Sequence, residues 1–197
     1  MKKILFIICM LNFLMYNSIA QLYNWSNIVQ INANGSDSYS GAFIANDTND
    51  NKFIIGTFVN IVNIGTDTIH SINNGIYIAK INKNDSLVWL KKIAESDTII
   101  GITKQTIDKS NNIILNIRFF NSCTIFGTNF VSNGLLDNVL IKIDNNGILK
   151  FSKHIKGNCN EGLYRIVTDS DENILYTGSF SCILDIGDTT LIGNNIN

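Results

Sequence analysis

The chain repeats itself at a fixed step. Asn51, Asn112 and Asn173 each open an apolar run, and they stand 61 residues apart. Asp47, Asp108 and Asp169 precede them at the same 61-residue step, as Phe58, Phe119 and Phe180 follow them. Self-similarity of this kind constrains architecture more than any local pattern. Each copy must fold alike and bury its apolar surface against its neighbours.

A second landmark continues the register: Ile64-Gly65, Phe126-Gly127 and Ile186-Gly187, followed by the apolar residues Ile69, Val131 and Leu191. Then come "GIYIAKINKND" from Gly75 and "NVLIKIDNNG" from Asn138, with Lys80 matching Lys142. A last run opens on an aromatic, at Trp89 and Phe151, and an orphan copy, "WSNIV", begins at Trp25. One unit therefore reads as four short strands. They are rich in β-branched and aromatic residues and separated by Asn, Asp and Gly clusters. No apolar stripe keeps a helical period over three turns, so the expected class is all-β.

In "NILYTGSF", Ile174, Tyr176 and Phe180 point one way and Leu175 the other; "FIIGTF" is apolar on both sides too. A small sheet with two apolar faces buries both only by stacking between other sheets, which is the β-propeller solution. A parallel β-helix would need a sub-repeat near 20 residues, and none is found. "DNNG" at Asp144 to Gly147 reads instead as a hairpin turn. The expected fold is thus a partial, open or truncated β-propeller of four-stranded antiparallel blades of about 60 residues. The divisions are a signal peptide at 1–20, a partial unit at 21–46, units at 47–107 and 108–168, and an incomplete unit at 169–197. A closed propeller needs at least four blades. The expectation is therefore a fragment of a larger protein, an assembly of copies, or an open arc that self-associates through its blade edges.

These residues resemble the secreted bacterial β-propeller repeat family (SBBP). The likeness lies in the Asp-turn-Asn before "ILYTGSF", the Phe/Ile-Gly landmark, and the apolar-Lys-apolar-Asp strand leading to Trp or Phe. It runs from about Trp25 to the C-terminus and is weaker in the middle unit, where Ile117 occupies the position of Gly56 and Gly178. The resemblance implies an exported propeller, often part of a long surface protein. It brings no catalytic residues.

The N-terminus fits export. Lys2 and Lys3 precede an apolar run from Ile4 to Tyr16, and Ser18-Ile19-Ala20 is small where a signal peptidase reads. Cleavage is expected after Ala20, leaving Gln21 first. The apolar run is shorter than the roughly 20 residues a membrane span needs. Cys9 follows Ile8 and does not suit lipidation. With a formal net charge of −1 on 197 residues, nothing electrostatic points to nucleic acid or an anionic membrane. Proline is absent, so turns rest on Asn, Asp and Gly. Cys123, Cys159 and Cys182 remain after cleavage; they are either incidental or include one disulfide with Cys182 as a member.

The candidate chemistry is sparse. "DTNDN", "DKSNN" and "DSDEN" alternate oxygen-bearing side chains, and Asp169, Asp171 and Glu172 form the fullest candidate for a calcium ion. The competing reading makes them turns whose side chains cap the backbone. His70 and His154 have no ligand-spaced partner and are expected to be exposed strand residues. Trp25 and Trp89 read as sugar-stacking platforms or, from their matched position, as packing core. Asp-Ser/Thr-apolar triplets at Asp67, Asp85 and Asp97 resemble bacterial O-glycosylation sites, but random occurrence is the preferred reading. The first strands carry no acidic residue before the turn Asp. The expectation is a non-enzymatic scaffold or binding surface for an extracellular protein or glycan. The alternative is a piece of a propeller enzyme acting on polysaccharide.

Overall fold

A computed structural model describes residues 31–34, 43–98, 100–159 and 161–193. The segments expected to be a signal peptide and a strand at Trp25 lie outside the described residues. Every described regular element is a β-strand, and all pairings are antiparallel. Among the described residues no helix is long and apolar enough to cross a membrane.

After β1 (Ile31–Asn34), the first unit consists of β2 (Phe43–Asn46), β3 (Lys52–Ile64), β4 (Asp67–Ile81) and β5 (Leu87–Ser96). They pair in chain order. The second unit repeats this with β6 (Ile100–Ile107), β7 (Ile113–Ile125), β8 (Thr128–Ile143) and β9 (Leu149–Gly157). The third has β10 (Gly162–Thr168), β11 (Ile174–Ser179), β12 (Ile183–Asp185) and β13 (Thr190–Ile192). Here β10 and β11 form a separate two-stranded sheet.

The long second strands bend at matched places. Asn60 and Asn121, two residues past the closing Phe, take left-handed φ of 65° and 59°, and the ladder slips there. Asn tolerates that backbone, and a bulge bends a strand. The far end of each bent hairpin pairs with an earlier strand. β3 meets β1 through Ile61–Ile64, β7 meets β5 at Ala94↔Ile125, and β12 meets β9 at Leu184↔Gly157. The turn at each far end explains the second landmark: Gly65, Gly127 and Gly187 all have positive φ.

Alternation puts apolar residues on both faces, and the units pack face to face. Phe53, Ile55, Ile76 and Ile78 on the leading face of the first unit share one core with Leu115, Ile117, Phe119 and Val139 on the trailing face of the second. The leading face of the second unit, through Ile114, Leu140 and Ile155, packs on Leu163, Ile166 and Phe180 of the third. Phe58, Phe119 and Phe180 thus sit on the same side of successive units. Each fully buried Ile or Phe contributes roughly 1.5–3 kcal/mol relative to exposure.

The departure at Ile117 has a physical reason. Gly56 faces Tyr77 across the strands, and a Cβ there would lie 2.8 Å from the phenol ring. Ile117 faces Val139. The second unit fills the same space by enlarging one partner and shrinking the other, a volume-conserving exchange of the kind cores tolerate.

Cys159 and Cys182 are disulfide-bonded, and Cys123 is free and buried. The bridge staples the joint between β9 and β12. At the joint between β5 and β7, Ser96 and Cys123 stand one step beyond the ladder pair Glu95↔Thr124, as Cys159 and Cys182 stand two steps beyond Leu184↔Gly157. Under oxidising conditions Ser96→Cys should form a second disulfide with Cys123, seen as loss of the free thiol that Cys123 contributes to the unfolded chain. Retention of both thiols would show that the two positions do not meet.

Candidate functional site

The acidic turns are built alike. Asp47 Oδ1 accepts hydrogen bonds from the amides of Asn49 and Asn51 at 2.8 and 2.9 Å, and Oδ2 accepts one from Asn51 Nδ2 at 2.7 Å. Asp108 does the same with Ser110 and Asn112, and Asp169 with Asp171 and Asn173. The residue before each Asn is left-handed: Asp50, Asn111 and Glu172. The 61-residue spacing of Asp and Asn thus records a side-chain-capped turn. The turns also join across units. Asn111 bridges to the amide and hydroxyl of Thr48, Lys109 donates to the Ser170 carbonyl, and Ser110 Oγ donates to Glu172.

The calcium candidates are placed accordingly. Both Asp169 oxygens cap its own turn, and Glu172 faces Ser110 and Lys142 of the preceding unit. Among the described residues no group of three His, Cys, Asp or Glu side chains is placed to hold a metal ion.

The repeated lysine has a role that its spacing alone did not reveal. Lys142 Nζ lies 2.6 Å from Asp108 Oδ2, and Asp108 is buried. Burial alone would raise the Asp108 pKa. Hydrogen bonds from Lys142 and Asn112 outweigh it and hold the carboxyl below its ordinary value. The same pairing with Asp108 holds the lysine above its own ordinary value. Lys80 acts likewise on Asp47 from a greater distance and donates to Asn145.

A second polar cluster has no counterpart in the first unit. Asp137 is fully buried at the start of the inner half of β8, with Oδ2 2.8 Å from His154 Nε2 and 3.1 Å from the Asn133 amide. His154 also packs against Phe119 and Phe130. It is therefore not the exposed strand residue expected from the sequence, whereas His70 is exposed. Behind it, Asn116 Nδ2 donates to Thr103 and to Asn138 Oδ1, and Asn138 Nδ2 donates to the Glu161 carbonyl.

Glu161 is 2% exposed, and neither carboxyl oxygen has a hydrogen-bond partner of good geometry. A Cβ at Gly157 would stand 1.7 Å from Oε1, so that glycine makes room for the carboxyl. Burial, reinforced by the nearby Asp137 charge, raises the Glu161 pKa to about 7; amides of Cys159 and Glu161 pull it partly back. Glu161 stands one residue ahead of the first strand of its unit as read from the sequence. Its only sequence signal is an acidic residue immediately before "GLYRIVTD", where the second unit has Ile100.

Two cavities lie at the joints between units. A cleft of about 410 Å³ at the joint of the first two units is lined by Ser96, Ser122, Cys123 and the Lys92–Glu95 ion pair. A smaller cavity of about 200 Å³ lies between the second and third units, with Asn138 and Glu161 on its polar side. Trp89 packs into the core near Phe53, 6.0 Å between ring centroids, while the matching Phe151 is partly exposed. No protein-family model matches the chain, and no curated protein is significantly similar to it.

Glu161 makes stability pH-dependent in a definite direction. Below its ordinary value of 4.5 the folded and unfolded chains both hold the proton, and the carboxyl costs nothing. As pH rises towards about 7, the unfolded chain ionises first and the folded state loses ground. Urea midpoints should therefore fall over this interval, and Glu161→Gln should flatten the fall. An unchanged slope in the variant would assign the effect elsewhere. Asp108, with its lowered pKa, works in the opposite sense, its stabilisation being lost as pH falls through the folded-state value.

Proposed function

We propose that the chain is a non-enzymatic, exported β-propeller module of the secreted bacterial repeat type. In this reading it is part of a larger secreted or cell-surface protein and serves as scaffold or binding surface for an extracellular protein or glycan. One observation carries this reading: the leading face of each unit meets the trailing face of the next in the same register. Such a head-to-tail contact either closes a ring or propagates, and radial stacking of four-stranded sheets is the closed form. The disulfide accords with export to an oxidising compartment. The recurring carboxylates are consumed by their own turns, which supports a structural role for them.

A second reading, a fragment of a polysaccharide-active propeller enzyme, draws on Asp137 and Glu161, the acidic residues that do not recur. Glycoside hydrolysis needs two carboxyl groups facing a cleft that admits sugar. Both side chains here are shut off from solvent, which favours the binding module.

The full chain, expressed with its N-terminus in a Gram-negative host, should be recovered outside the cytoplasm beginning at Gln21. Incubation with xylan, pectin or mixed-linkage β-glucan should release no reducing ends. Hydrolysis that Glu161→Gln abolishes would overturn the proposal in favour of the enzyme.

A further inference from the structure

The third unit carries the same motif as its predecessors in a different setting. Phe53 in β3 and Ile114 in β7 are 0% exposed, whereas Leu175, their equivalent in β11, is 52% exposed. Beside it on the same face, Val167 of β10 is exposed as well. β3 and β7 each lie between two strands within their unit, β2 and β4 or β6 and β8. Among the described residues β11 pairs only with β10, so its other edge is open along Ile174–Ser179. An open edge offers a row of unpaired amides and carbonyls to an incoming strand.

What belongs there can be read from the two occupied sites. Opposite Gly56 stands Tyr77, and three residues later Lys80 stands opposite Phe53. Opposite Ile117 stands Val139, and Lys142 stands opposite Ile114. Gly56 makes room for its aromatic partner, and the third unit has Gly178 at that position, where a Cβ would also stand 2.4 Å from the Gly162 carbonyl of β10. Beside Gly178 lies the cavity of about 200 Å³, walled by Leu163, Tyr176, Phe180, Leu184 and Leu191. That is several times the roughly 30 Å³ occupied by a liquid water, and Phe180 is placed to meet a ring there as Phe58 meets Tyr77, 6.0 Å between centroids. At the turn, Asp169 occupies the position of Asp108, and among the described residues it has no ion pair like that of Asp108 with Lys142. Its carboxyl is held below the ordinary value by Asn173 and the turn amides, with Lys109 acting from farther off.

We propose that the open edge of β11 binds an extended peptide strand carrying an aromatic residue opposite Gly178 and, three residues on, a lysine that reaches Asp169. The partner is thus a polypeptide segment of the pattern aromatic-apolar-apolar-Lys, added by strand augmentation. A folded second copy cannot supply it, because β4 and β8 are paired on both edges. Main-chain hydrogen bonds give the affinity; the ring and the lysine set the register. The inference deepens the binding-module reading, on which it rests.

The probe is a fluorescein-labelled peptide of residues 74–82, NGIYIAKIN, titrated with the full chain and read by fluorescence anisotropy. Binding should saturate. Tyr77→Ala and Lys80→Glu in the peptide should each weaken it about tenfold, a loss of about 1.4 kcal/mol. Bound peptide should slow amide exchange at residues 174–179 and leave residues 113–119 unchanged. Equal binding of a scrambled peptide, unaltered exchange at 174–179, or self-association of the chain that blocks the peptide would each overturn the proposal. The outcome is separable from the assay of hydrolysis. A chain that binds the peptide and also cleaves polysaccharide would keep the strand site and lose the non-enzymatic reading.

Discussion

Each sheet has two apolar faces and no side that water can be left to cover. Four strands are too few to bury their own side chains, so Phe53 and Ile55 on one face and Ile54 on the other all need a neighbour. For Phe53 and Ile55 the second unit supplies it, trailing face to leading face, whereas the described cluster around Ile54 is made of first-unit residues and Ile31 of β1; the 61-residue step follows where successive units meet in the same way. The bulges at Asn60 and Asn121 serve this arrangement. They turn the far half of each long hairpin back onto an earlier strand and fix the joint by main-chain pairing.

Polar groups follow the same logic at two levels. The turn aspartates satisfy their own loops first, and only Asp108, buried beneath the next unit's turn, acquires a close lysine. The row of turns then links unit to unit through Asn111, Ser110 and Lys109. Unrepeated polar groups interrupt the apolar packing of the second unit: Asp137 with His154 beside Phe119 and Phe130, and Asn116, Asn138 and Glu161 towards the third unit. Buried polar groups that are incompletely paired are costly. Glu161 is one of them, with neither carboxyl oxygen paired, and it follows the disulfide-clamped Cys159.

The repeat made the strand order and the two-faced packing legible, because both depend on periodic side chains. The capped turns were legible too, since Asp and Asn kept one spacing for one geometric reason. What escaped was whatever depends on partners distant in sequence. Nothing local distinguishes His154 as a half-buried residue; its setting comes from Asp137 and two aromatics on other strands. The cysteine pairing needed the joint register, which sets Cys159 opposite Cys182 just beyond the Leu184↔Gly157 pair. Ile117 looked like a weakened repeat only because its compensating residue, Val139, lies on the next strand.

Residues 43–98, the first unit alone, put the two-faced constraint to the most direct test. Expressed without the rest, this segment exposes Phe53, Ile55, Ile76 and Ile78 to water. It should give no cooperative urea transition, bind a hydrophobic dye and aggregate, while the full chain unfolds sigmoidally. A monomeric segment with a sharp transition of its own would contradict the account, because a single sheet would then have proved able to keep both of its faces without a neighbour.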